Sequence, residues 1–193
     1  MEQCAAKRAA FRERVAAIAS ERFVFLDEMG VRVGMTPLYG RAPGGKRVVD
    51  RVPRKRGDNL SVIGALRLGG VGATMTITGA VDTTVFNTYL EQCLVLRPGD
   101  VVVLDNLKVH VASAVARIAE ARGATVVWLP PYSPDFNPIE KLWSKAKTLI
   151  RAAKAQTLET LEGALKVALE AVTAPNIQGW FRHCGYSLQG AST

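Results

Sequence analysis

Residues 129–144, LPPYSPDFNPIEKLWS, hold four prolines within their first ten positions and then pass at once into a helical pattern. Proline fixes φ and removes a backbone donor, so such a run restricts the chain to one path. That path delivers one acidic side chain, Glu140, to the start of a helix. Capping alone accounts for it if Asn137 caps, Pro138 takes the first helical position and Glu140 the third, as in a capping box. The alternative is that the stretch presents Glu140 to something outside the helix. The rest of the chain bears on that choice.

Working upstream, TVVWL (125–129) and VVVLD (101–105) are short apolar runs that read as buried strands, separated by a helix over 111–122 that Gly123 stops. DTTVFNTYLEQCLVL (82–96) has Val85, Phe86, Tyr89, Leu90 and Cys93 at helical spacing behind an Asp or Thr cap. Before it, LSVIGALRL (60–68) and ATMTIT (73–78) form a meander across GGVG, and FVFLD (23–27) is a further strand. A turn at Met29 and Gly30 is expected to lead into another strand, VRVGM (31–35). Downstream, a basic helix over 138–153 precedes TLETLEGALKVALEAV, whose Leu158, Leu161, Leu165, Leu169 and Val172 share one face. That face reads as core, with dimerisation as the alternative. A meander followed by strand–helix alternation predicts an α/β fold, a mixed five-stranded sheet with helices on both faces. Such sheets place ligands beyond the carboxyl ends of their parallel strands.

Composition sets the bounds. The 193 residues fit one ordinary domain, and 48% hydrophobic with 22% charged residues is a globular balance. Residues 1–20 are read as an N-terminal linker helix and 21–193 as the functional domain. The net charge of +8 favours a polyanionic partner, nucleic acid first. Cys4, Cys93 and Cys184 are too scattered for a metal cluster and are expected as reduced thiols in a cytoplasmic, nucleoid-associated protein. The charged N-terminus is neither signal peptide nor anchor. The run 60–81 contains Arg67 and five glycines, which suits paired strands better than a membrane helix.

Asp27 and Asp105 each close an apolar strand, where the side chain leaves the core. Either alone reads as a turn cap. Together with Glu140 they make chemical sense: two aspartates from neighbouring strand ends and a glutamate from a helix start can surround one or two Mg²⁺ ions. Two such ions, about 3.5–4 Å apart, promote in-line attack at phosphorus. Prolines that hold Glu140 against two distant aspartates then have a purpose.

The blocks FLDEMG, VVVLDNLKVH and LPPYSPDFNPIEKLWS resemble those of the DDE transposases of the mariner superfamily, most closely the bacterial insertion sequence 630 family. Thirty-four residues separate Asp105 from Glu140, the spacing of one branch of that superfamily. The resemblance covers about residues 23–185. It implies a ribonuclease-H-like fold, the catalytic and metal-binding triad Asp27, Asp105 and Glu140, and two Mg²⁺ ions that Mn²⁺ can replace. It also implies cut-and-paste DNA cleavage and strand transfer into a TA target, by a homodimer on double-stranded DNA. The pattern departs at Met29, where the family has a small residue, and the family's N-terminal helix-turn-helix region has no counterpart here. The expectation is therefore a catalytic domain only, from a split frame or truncated copy, with an upstream helix-turn-helix polypeptide as candidate partner. A stand-alone nuclease of this fold and a noncatalytic DNA-binding remnant or repressor of its own element are the alternatives.

Around the triad, Glu28 is expected to point to the opposite side of its strand, in a structural or supporting role. Asn106 and His110 follow Asp105; His110 either orients water or phosphate or bonds backbone at a helix start. Trp143 reads as a core plug that locks the Glu140 helix. Residues 40–58 hold seven basic residues, Arg41, Lys46, Arg47, Arg51, Arg54, Lys55 and Arg56, against two acids. Lys141, Lys145, Lys147, Arg151 and Lys154 continue the theme on the Glu140 helix. Beside a phosphodiester-cutting site these read as phosphate contacts; elsewhere they would be a solvated face.

Overall fold

Alternation along residues 23–31 organises the molecule. Phe23, Phe25, Met29 and Val31 enter one buried cluster and Val24 and Leu26 another, so one strand serves two cores on opposite sheet faces. The structure, a computed structural model, describes residues 5–52, 57–105 and 109–188, with backbone alone for 109–112. Strand β1 (Phe23–Arg32) pairs antiparallel with β2 (Asn59–Arg67), and β2 with β3 (Gly70–Thr78). On its other edge β1 runs parallel to β4 (Val101–Leu104), which runs parallel to β5 (Thr125–Trp128). The order is β3-β2-β1-β4-β5, the mixed five-stranded sheet that the sequence predicts.

One expectation is corrected. No turn divides β1 at Met29 and Gly30: the ladder continues through Met29↔Val62 and Gly30↔Ser61 to Arg32↔Asn59. Gly30 has open space where a Cβ would stand, so it is an exposed strand position rather than a bend.

Helices cover both faces. On one lie α1 (Ala5–Ala16), α4 (Ile139–Ala153), α5 (Leu158–Glu170) and α6 (Ala174–His183). On the other lie α2 (Thr83–Thr88), its π-helical extension Tyr89–Cys93, and α3 (Val109–Ala121). Asp82 caps α2 by accepting from the Val85 N–H at 2.8 Å. Gly123, at φ 69°, follows α3 in the left-handed region that suits glycine. The α5 face is core, with Leu161, Leu165 and Ala168 buried. Helix α6 is not foreseen from the sequence, although Thr173 and Asn176 form a capping box around Pro175, and Ile177 and Phe181 are buried. Among the described residues, no helix is long and apolar enough to cross a membrane.

The aromatic part of the core supports the proline-rich segment. Phe181 and Tyr186 meet Phe25 edge-on at 5.4 and 5.0 Å, and the Tyr186 hydroxyl donates to the Phe136 carbonyl at 2.8 Å. From α1, Phe11 stacks on Phe136 at 5.3 Å. Arg8 bonds Ser133 Oγ at 2.7 Å and pairs with Asp135 at 2.5 Å. The turn that carries the chain into α4 is therefore held from two sides.

Candidate active site

Side-chain alternation and strand register bring the aspartates together. The β1–β4 ladder runs from Phe23↔Val101 to Phe25↔Val103, so Asp27 and Asp105 each stand two residues beyond its last pair, on the face that carries α4. The Leu129 N–H donates to the Leu104 carbonyl at 2.9 Å, which starts the proline-rich segment beside Asp105. The segment closes a short 3₁₀ turn at Pro134–Phe136 and enters α4, with Glu140 in the first turn. Asp27, Asp105, Glu140, Asn137 and Pro130–Pro134 line one cleft of about 450 Å³.

The capping explanation for Glu140 does not hold here. Pro138 occupies the cap position and no side chain caps α4, so Glu140 is not half of a capping box. Tyr132, on the cleft wall, takes φ 54°, an uncommon conformation for a residue with a Cβ and one that clusters at functional sites.

Electrostatics report the convergence. The Asp27 carboxyl is pushed up to about 7, first by burial, then by the charge of Glu140, with Asp105 and Glu28 adding less. The Glu28 N–H, donating to Asp27 Oδ1 at 2.8 Å, opposes the rise. Asp27 Oδ2 is buried and has no hydrogen-bond partner. A buried, unpaired carboxylate oxygen facing two further carboxylates is unfavourable unless the group takes up a proton or a cation joins them. Among the described residues no three His, Cys, Asp or Glu side chains are drawn together closely enough to hold a metal ion; the three acids share the lining of one cleft. Carboxylate oxygens are the donor type that hard divalent cations take.

The remaining expected residues divide. Glu28 is absent from the cleft and supports Asp27 only through its backbone N–H; partial burial raises its own carboxyl. Asn106 lies outside the described residues, as do Arg54, Lys55, Arg56 and the side chain of His110. Arg41, Lys46, Arg47 and Arg51 are exposed on the segment joining β1 to β2. Lys147 and Arg151, seven and eleven residues past Glu140, share its helix stripe. Lys141 and Lys145 form a different stripe. Lys141 lies near enough to Cys184 to oppose the rise that burial imposes on that thiol. Lys145 Nζ bonds the Ala171 carbonyl at 2.7 Å and Asn176 Oδ1 at 2.5 Å, tying α4 to the α5–α6 junction. The Lys145 ammonium is thus engaged within the fold.

Trp143 is the plug that the sequence suggests, 2% exposed, and its seat is informative. Gly64 is the cross-strand partner of Asp27, and a Cβ there would lie 2.8 Å from Trp143 Cη2. The absent side chain lets the indole lie against the sheet beside Asp27, one helical turn after Glu140. Gly64→Ala is expected to displace Trp143, costing about 1–3 kcal/mol as overpacking does. It should also lower the metal-dependent DNA cleavage that the sequence resemblance implies, measured at temperatures where the variant is fully folded. Full activity in that folded variant would show that the Trp143 seat does not position Glu140.

Residues 22–162 match the model of the DDE superfamily endonuclease family. No curated protein sequence matches the chain. The Mos1 mariner transposase catalytic domain superposes with a TM-score of 0.65 at 14% identity, covering 92% of this chain and 86% of that one. The Mos1 strand transfer complex gives 0.70 at 17% identity, covering 92% of this chain and 55% of that one. The mariner Mos1 paired end complex with Mg gives 0.71 at 16%, covering 95% and 61%. The chain thus spans little more than half of the Mos1 chains in those two complexes, and the likeness establishes a shared ribonuclease-H-like fold. With the family model extending over β1, β4 and the proline-rich turn that supply all three acids, the chain belongs to the DDE superfamily of endonucleases.

Proposed function

We propose that this chain is the catalytic domain of a mariner-type DDE transposase of the insertion sequence 630 kind, which cuts DNA at an element's ends and joins the released 3′ ends to a TA target. The observation that carries the reading is the shared cleft of Asp27, Asp105 and Glu140, with Asp27 Oδ2 buried and unpaired. These three residues would hold Mg²⁺, or Mn²⁺ in its place, as a pair of ions. Bound there, the metal supplies Lewis-acid chemistry at phosphorus, favouring the attacking oxygen and offsetting charge on the leaving one. Asp27 and Asp105 contribute from a rigid sheet, and Glu140 from a helix start buttressed by Phe136 and Trp143, so the acids need little reorganisation. No residue in the cleft is required as a covalent nucleophile.

The basic surface supports a DNA substrate. Lys147 and Arg151 lead away from Glu140 along α4. Lys154, at the end of α4, pairs with Asp50 at 2.6 Å and ties that helix to the segment bearing Arg41, Lys46, Arg47 and Arg51. Arg151 also shares a cleft with Leu38 and Val52 of the same segment. A phosphate backbone entering the acid cleft would meet both sets. Work on two ends of an element implies a homodimer, and reading of terminal repeats implies a helix-turn-helix polypeptide. A reducing, nucleoid-associated setting suits the free thiols of Cys93 and Cys184.

The test offers the full chain a pre-cut DNA end bearing a free 3′-hydroxyl, a TA-containing target, and Mg²⁺ or Mn²⁺. Joined product at TA is the expected result. Cleavage of uncut DNA without any joining would reduce the protein to a nuclease of this fold. Salt-sensitive DNA binding that survives neutralisation of all three acids, with no cleavage by the unmutated protein, would make it a noncatalytic remnant.

A further inference from the structure

Asn137 is 3% exposed and lines the acid cleft, yet its Oδ1 has no hydrogen-bond partner. Its backbone is fully used: the N–H donates to the Pro134 carbonyl at 3.0 Å, and its carbonyl accepts from the Glu140 N–H at 3.2 Å. Neighbouring side chains in the same turn are paired. Ser133 accepts from Arg8 and donates to the Pro131 carbonyl, and Asp135 holds Arg8. An asparagine before a helix ordinarily spends its side-chain oxygen on the first N–H groups. Here Pro138 takes the cap position, no such bond forms, and the amide oxygen is left over. Buried amide oxygens without a donor are rare and call for an explanation.

We propose that Asn137 supplies a fourth, neutral oxygen donor to the cation held by Asp27, Asp105 and Glu140. Amide carbonyls are oxygen ligands for hard divalent cations, and a neutral one adds coordination without adding to the repulsion among three carboxylates. The prolines and the 3₁₀ turn then fix two donors at once, Asn137 and, three residues on, Glu140. This assignment rests on the triad reading, so its test keeps the two apart.

Mn²⁺ is titrated into the full chain without DNA, following the free ion by electron paramagnetic resonance, for the wild type and for D27N, D105N, N137A and N137D. N137A is expected to bind Mn²⁺ about 10–100-fold more weakly, the range typical when a group supporting a metal site is lost. Its metal-free melting temperature should be unchanged or higher. N137D, of the same size and shape, is expected to bind at least as tightly as the wild type. Mn²⁺ binding that D27N and D105N weaken while N137A leaves it unchanged overturns the Asn137 assignment alone. N137D binding more weakly than N137A also overturns it, because the amide nitrogen would then face the cleft. A wild type that binds no Mn²⁺ overturns both readings. If N137A does not fold, N137D decides.

Discussion

Asp105→Asn is expected to lower Mg²⁺-dependent DNA nicking by about 10³-fold or more while leaving the melting temperature of the metal-free protein within a few degrees of wild type. The two halves of this expectation have separate causes. Asp105 is exposed, one residue beyond β4, so an isosteric amide removes no packing. Its charge, however, acts across the cleft, since it is one of the groups that raise Asp27. On the proposed reading Asp105 is one of three anionic donors to a metal whose Lewis acidity is worth several kcal/mol of barrier, and each 1.36 kcal/mol is about tenfold in rate. Single-turnover nicking of a supercoiled plasmid with saturating Mg²⁺ measures it, and Mn²⁺, a softer ion, should restore part of the rate. A variant nicking within tenfold of wild type would remove Asp105 from the chemistry.

How much of this site is legible in the sequence follows from what each residue's role depends on. Asp105 can be placed because an acid closing an apolar strand leaves the core; Asp27 is found by the same rule for a different reason, since β1 runs on to Arg32 and Asp27 meets the cleft where its parallel neighbour β4 stops at Leu104. Glu140 is legible because prolines constrain the chain before it. Roles that depend on a distant partner are not legible. Lys145 has the same spacing as other basic residues on α4, and only the position of Ala171 and Asn176 shows that it is a tie within the fold. Gly64 reads as one glycine among several until the indole of Trp143 is found against it. Asn137 reads as an ordinary cap, and its unspent oxygen appears only once Pro138 is seen in the cap position. Glycine at position 30 misleads in the other direction, because a paired strand position whose side-chain direction is open tolerates it without turning.

The largest effect on stability is expected from Asp27→Asn, and its size depends on pH and metal. Asp27 is raised from an ordinary 3.8 to about 7 in the folded chain. The folded state therefore holds a proton that the unfolded chain has already released. The stability this contributes is fully present below about pH 3.8, declines as pH rises, and is lost above about pH 7. At 1.36 kcal/mol per pH unit the full decline amounts to at most about 4 kcal/mol. Asparagine cannot ionise and removes the slope. In metal-free buffer the variant should match wild type near pH 4 and melt higher near pH 8, by about 2–4 °C per kcal/mol for a chain of this size. Added Mg²⁺ should narrow the gap at pH 8: it stabilises wild type by about 2.7 kcal/mol at a hundred times its dissociation constant and does little for the variant. Melting curves at pH 4, 6 and 8, each with EDTA and with Mg²⁺, resolve both trends. A wild-type melting temperature with the same pH dependence as that of Asp27→Asn in EDTA would mean that Asp27 carries no excess charge cost in the folded state. A cation at the cleft would then relieve no electrostatic cost.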